Sequence, residues 1–114
     1  MLDDVTINVL QAAMHGLSAR QQAISQDISN VNTPYYRARN VTFEGDLRRA
    51  IQNGENPLNV QPTVSYSQAE GGLTGNNVNL DAETVASVQT EMSFELALRA
   101  TSDRFTLQKT AIGG

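Results

Sequence analysis

The 114-residue chain contains no cysteine and no tryptophan, and only three phenylalanines, three tyrosines and three prolines. The missing cysteine excludes disulfides, thiolate metal sites and thiol nucleophiles. It suits a cytosolic protein, and equally one that enters an oxidising space without using disulfides. The shortage of rings limits the core, because aromatic side chains bury the most area per residue. A chain so composed is expected to complete its burial against copies of itself or against relatives. No apolar run approaches the roughly 18 residues of a membrane helix. Met1-Leu2-Asp3-Asp4 offers neither a basic n-region nor an apolar stretch, so no Sec-type signal is expected there. Work outside the cytoplasm would require another route.

A basic surplus is also missing. The formal net charge is −4, with a pI of about 4.7. Nucleic-acid binding draws most of its affinity from phosphate neutralisation, so this sign argues against a nucleic-acid partner. Acids and bases are spread evenly along the chain, and no block marks a polyanion or membrane-surface site. Charged residues reach only 18%, too few for a highly charged disordered tail.

What is present is helical periodicity at both ends. Ile7, Leu10, Met14, Leu17, Ile24, Ile28 and Val31 follow one another at steps of 3, 4, 3, 7, 4 and 3. This is an a/d seam with one polar insertion at Gln21, and it predicts a helix over 5–31. Gly16 lies inside that helix at a cost of about 1 kcal/mol relative to Ala, which packing must offset. Asp3, Asp4 or Thr6 are candidate caps at its start, and Asn30, Asn32 and Pro34 stop it. A second helix is expected over 82–112, capped by Asp81 with Glu83 in its first turn. Val85, Val88, Met92 and Leu96 form one apolar stripe on it. Phe94, Leu98, Phe105 and Ile112 form another, which implies burial on more than one side.

The middle differs. Residues 40–77 hold five glycines and two prolines, with a turn signal at Asn53-Gly54. A helical turn near 46–51 and one short strand through Val60, Val64 and Tyr66 are expected there, and Gly71-Gly72 and Gly75-Asn76-Asn77 read as flexible loop. The predicted fold is mainly α, in one structural domain: an elongated antiparallel, coiled-coil-like pair of long N- and C-terminal helices, with an irregular middle containing little β. Its parts are 1–39, 40–77 and 78–114. The expected packing sets Leu10, Met14, Leu17, Ile24 and Ile28 against Val88, Met92, Leu98 and Phe105, and leaves the second stripe, Ile112 included, for neighbours.

No catalytic set is visible. His15 has no companion in any metal or nucleophile pattern and reads as a helix-surface residue. Asn77, Asn79, Asp81 and Glu83 alternate oxygen ligands but lack calcium-loop spacing, so turn and cap chemistry is the better reading. Gly71-Gly72-Leu73-Thr74-Gly75 has no following Gly-Lys-Ser/Thr to cradle phosphate. The expectation is a non-enzymatic assembly protein with no cofactor, metal or small-molecule substrate. The alternative is a small cytosolic coiled-coil adaptor or chaperone.

Residues 28–39, Ile-Ser-Asn-Val-Asn-Thr-Pro-Tyr-Tyr-Arg-Ala-Arg, resemble the signature shared by flagellar rod, hook and hook-associated axial proteins. Asn30, Thr33, Pro34, Tyr36, Arg37 and Ala38 match it. Ser29, Tyr35 and Arg37 stand where Ala, Gly and Lys are more usual, and Gly permits a positive φ that Tyr resists. Gly75-Asn76-Asn77-Val78-Asn79-Leu80-Asp81, with Glu83, is similar to the lead-in to the last helix of proximal rod subunits. Phe94, Leu98, Arg104, Phe105, Leu107, Lys109, Ala111 and Ile112 fit the tail of the subunit-B branch, and Phe43 to Ile51 its post-signature segment. The short middle leaves no room for the inserted domains of distal rod and hook proteins. The resemblance implies a proximal rod subunit of the flagellar basal body, exported by the flagellar type III apparatus. It implies a helical tube in the periplasm that transmits torque and encloses the export channel. The implied partners are copies of itself, other rod subunits, the export gate and an adaptor protein.

Overall fold

The computed structural model describes residues 2–113, with side chains from residue 4 onward. Its elements are α1 (Leu2–Ser29), β1 (Arg39–Thr42), α2 (Glu44–Gln52), a 3₁₀ turn (Pro57–Asn59), β2 (Thr63–Tyr66) and α3 (Leu80–Gly113). α1 and α3 run antiparallel. Gln21 reaches Ser87 at 2.7 Å, and Phe94 packs on the cluster that holds Leu17, so rising numbers on one helix meet falling numbers on the other. The molecule measures 63 × 27 × 14 Å with a radius of gyration of 17.5 Å. A compact domain of this length would have a radius near 13 Å. The mainly α, elongated helix pair is therefore the architecture found.

α1 begins at Leu2, so Asp3 and Asp4 lie in its first turn, where the helix dipole favours carboxylates. The residue that would cap it, Met1, lies outside the described residues. α1 is closed by Asn30. Its backbone N–H and side-chain Nδ2 donate to the Gln26 carbonyl at 3.1 and 2.8 Å. The cap of α3 is Asn79 and not Asp81: Asn79 Oδ1 accepts from the Ala82 N–H at 3.1 Å, and Asp81 falls inside the first turn. The middle is more regular than its composition predicts. β1 and β2 pair antiparallel with Arg39 opposite Tyr66 and Thr42 opposite Thr63.

The burial pattern corrects the expected packing. α1 is buried on two sides, and α3 on one. Leu17 and Ile24 are buried on α1 and Leu10, Met14 and Ile28 are half-buried, and Phe94 of α3 packs on the cluster that holds Leu17. A second side of α1 carries the buried Ala12, Gly16, Ala23 and Asp27, with the Arg39 N–H donating to Asp27. Phe43 seats its ring on this second side, where a β-carbon at Gly16 would collide with it. The helix-weakening glycine is thus the socket for the main core ring. Ala12, Leu17, Phe43 and Leu47 form the core, flanked by Val9, Ala13, Val60 and Phe94. Arg20 braces it, its guanidinium 5.0 Å from the Phe43 ring centre, with bonds to the Val41 carbonyl (2.7 Å) and an ion pair to Glu44 (2.6 Å). The hydrogen bond from Arg20 is the leading cause that holds the Glu44 carboxyl below its ordinary range.

The α3 face turned to α1 is small and polar. Thr90, Ala97 and Thr101 are buried there, with Glu83, Ala86, Ser87 and Phe94 half-buried beside them. Each buried threonine satisfies its hydroxyl on its own helix, Thr90 on the Ala86 carbonyl at 2.7 Å and Thr101 on the Ala97 carbonyl at 2.8 Å. Val88 and Met92, expected to face α1, lie about 160° round the helix from Thr90 at 100° per residue, and both are exposed. Leu98 and Phe105 are also about half exposed, and Ile112 more so. The physical reason is shape. Large Leu, Met and Ile knobs on α1 need shallow holes opposite, and Ala, Ser and Thr supply them.

Candidate functional site

Two features stand out: a joint built from the signature residues, and the outer face of α3.

At the joint, Thr33, Pro34, Tyr35 and Tyr36 form a turn closed by the Tyr36 N–H on the Thr33 carbonyl at 3.3 Å. Pro occupies the second place, and Tyr35 the third with φ of +63°. That pattern belongs to a type II turn, whose third place normally takes Gly. A left-handed conformation costs an L-residue about 1–2 kcal/mol. Tyr35 therefore keeps the backbone that the more usual Gly would give, at some strain. Its N–H donates to the Thr74 carbonyl at 3.0 Å, and its ring lies on Gly75, where a β-carbon would be 2.6 Å from it. Gly75, at φ +79°, is required for both reasons.

Several of the other signature residues bind neighbouring segments. The Tyr36 hydroxyl donates to Asp27 at 3.3 Å, and Arg37 Nη1 donates to the Ala69 carbonyl at 2.7 Å. Ala38 is buried, and its N–H donates to Asn77 Oδ1 at 2.7 Å. Thr33 Oγ1 donates to Asn30 Oδ1 at 3.0 Å. The asparagines read as flexible loop are clamps. Asn76 Nδ2 holds the Asn30 and Thr33 carbonyls at 2.8 Å each, and Asn77 Nδ2 holds those of Ser67 and Ala69 at 3.1 Å each. A Gly-Asn-Asn run shows turn chemistry in sequence, but not which distant carbonyls it will satisfy. Of the side chains at 35, 36, 37 and 39, those of Tyr35 and Arg37 are exposed, Tyr35 at 82%. Arg39 stacks against Tyr36 and Tyr66, 5.8 Å from each ring centre.

The second feature is the outer face of α3. Val85, Val88, Met92 and Leu96 line it in steps of 3, 4 and 4, with Met92 at 66% and Leu96 at 71% exposure. Leu98, Phe105, Leu107 and Ile112 extend exposed apolar surface toward the C-terminal end. His15 is exposed on α1. Among the described residues no group of three His, Asp or Glu side chains could hold a metal ion, and no helix is long and apolar enough to cross a membrane.

No family-level sequence profile matches the chain. Individual relatives do. It is 28% identical to "Flagellar basal body rod protein FlgB" of Bacillus subtilis (strain 168), over 96% of this chain and 94% of the relative. It is 25% identical to the protein of that name from Escherichia coli (strain K12), over 90% of each. With the namesake from Borreliella burgdorferi the identity is 31%, over 70% of this chain and 75% of the relative. The helix–signature–helix plan and these near full-length matches agree, and the chain belongs to the flagellar basal body rod protein FlgB family.

Proposed function

We propose that this chain is a structural subunit of the proximal rod that assembles by packing the outer face of α3 against neighbouring subunits. Its place in the flagellar basal body rod, and a structural rather than catalytic role, follow from the family. The finer reading is a helical tube that transmits torque and encloses the export channel. Its subunits reach the periplasm through the flagellar type III apparatus. There they contact copies of themselves, other rod subunits, the export gate and an adaptor protein.

The observation that carries this reading is the stripe Val85, Val88, Met92 and Leu96, which points away from α1. Large contiguous apolar patches on a soluble chain mark interaction sites. Full burial of one such side chain contributes about 1.5–3 kcal/mol, so four half-exposed ones can supply several kcal/mol per contact. Leu10, Met14, Leu17, Ile24 and Ile28 act one step back, by holding α3 in place. Tyr35, presented on a rigid turn, suits an interface anchor.

The test is Met92→Asp. An exposed substitution of this kind is expected to change unfolding free energy by no more than about 0.5 kcal/mol, measured by urea denaturation. Cells whose only copy is the variant are expected to build no rod. Normal numbers of rods in such cells would refute the assignment of this face.

A further inference from the structure

A groove opens between α2 and α3 over the surface of α1. Ala13 and Leu17 of α1, Phe43, Leu47 and Ile51 of the middle segment and Ser93 of α3 give it a mainly apolar lining. It leaves one flank of the core cluster open to water, and Ile51 on its α2 wall is 45% exposed. Its charged rim holds Arg20, Glu44 and Arg48. Arg20 and Glu44 neutralise each other at 2.6 Å. Arg48 is exposed and, among the described residues, has no ion-pair partner. The groove is therefore apolar, with one uncompensated positive charge on its α2 side.

The outer stripe of α3 is its complement. Between Val85 and Leu96 the only charged residues are Glu91 and Glu95. At 100° per residue both lie on one flank of the stripe, about 105° and about 65° round from its centre, and Gln89 and Ser93 lie on the other. Both acids are exposed. Glu91 accepts a long bond from Gln21 Nε2 at 3.5 Å. Glu95 lies 3.8 Å from Arg99, with side chains 68% and 77% exposed, a contact too weak to hold it. With the stripe lowered onto the groove floor, one of the two helix directions sets the acidic flank beside Arg48, and the other sets Gln89 and Ser93 there. The charges thus select a direction as well as a partner. The stripe points away from α1 of its own chain, so the groove that receives it belongs to another copy.

We propose that the outer face of α3 docks in the groove between α2 and α3 of a second copy, with Met92 and Leu96 on Phe43, Leu47 and Ile51, and Glu95 against Arg48. This rests on the reading that the outer face of α3 is the contact between subunits, and it names the surface that receives that face. An apolar centre with a charged edge is the usual order of a protein interface. Each copy carries both surfaces, and the two differ, so the contact is heterologous. Contacts of that kind generate rings or open helices.

The experiment swaps the charges. Arg48→Glu and Glu95→Arg are each made the only copy in cells, then combined in one chain. Each single change sets like charges together and is expected to lower the number of rods at least about tenfold. The double change restores opposite charges and is expected to recover about half of them or more. Both positions are exposed, so the purified variants are expected to keep wild-type helical circular dichroism. A second measurement reads proximity. Copies with Ile51→Cys are co-assembled with tagged copies bearing Met92→Cys, and isolated rods are treated with a short bismaleimide. The expected product joins one tagged to one untagged chain. Normal rod numbers in either single variant, a folded double variant that recovers none, or links between like chains alone would overturn the groove as the receiving surface. A Met92→Cys thiol that is shielded in rods yet forms no mixed link would overturn the groove and leave the α3 face standing. A thiol that reacts freely in rods would remove both.

Discussion

Phe43→Ala is expected to destabilise the fold by about 3–5 kcal/mol, read as the shift of the urea unfolding curve at unchanged slope. Phe43 is 4% exposed, in a chain with three phenylalanines in all. Its ring sits on Gly16 of α1, packs with Leu17 and Leu47, and is flanked by Phe94 of α3. It also forms the floor under the Arg20 guanidinium, which ties β1 and the start of α2 to α1. Removing it leaves a cavity that Gly16 cannot fill and strips the guanidinium of its ring. With net stabilities of small domains near 5–15 kcal/mol, the variant is expected to be marginal. A loss under about 1 kcal/mol would mean that the middle segment is not anchored by this ring.

Leu17→Asp and Phe105→Asp separate folding from assembly, although both are apolar helical residues in sequence. Leu17 is buried between Phe43 and the α3 face, so the change removes core volume and leaves a carboxylate without a partner. The expected cost is about 4 kcal/mol or more, with loss of cooperative unfolding and of most helical circular dichroism. Phe105 is 51% exposed near the C-terminal end of α3. Its replacement is expected to cost about 1 kcal/mol or less while preventing rod assembly. Equal damage to monomer stability by both variants would contradict the inside–outside division of the helices.

Much of this division is legible in sequence, and the reason it is not wholly so is specific. The steps of Leu10, Met14, Leu17, Ile24 and Ile28 mark a face of α1 that is buried at Leu17 and Ile24 and half-buried at the others, because large apolar residues at heptad spacing have few other uses. For α3 the same rule selects the wrong stripe. Val88 and Met92 are the more hydrophobic side, yet the face that fits α1 is Thr90, Ala97 and Thr101, chosen by size and not by apolarity. A sequence pattern weighs burial but cannot say whether the burying surface belongs to the same chain. The second side of α1 was also visible as small residues, Ala12, Gly16 and Ala23, at near-helical spacing, a signal of close approach that hydrophobicity alone passes over.

The joint shows the complementary case. Thr33-Pro34 and the asparagines announce turns, and Asn30 caps α1 as its chemistry predicts. Local chemistry does not show that Asn76 and Asn77, more than forty residues on from Asn30, would bind back to its turn, nor that Tyr35 would accept a positive φ. Each depends on a contact that only the closed helix pair creates.

The central claim, that the outer face of α3 is the contact between subunits, can be measured on one thiol. The chain has no cysteine, so Met92→Cys introduces a unique reactive group on an exposed helical face. In the isolated protein that thiol is expected to react with a maleimide at the rate of a free surface cysteine. In assembled rods it is expected to react at least about tenfold more slowly, the protection that an interface worth about 1.4 kcal/mol or more imposes on opening. Equal labelling rates in the free and assembled states would show that Met92 still faces water in the rod, and would contradict the account.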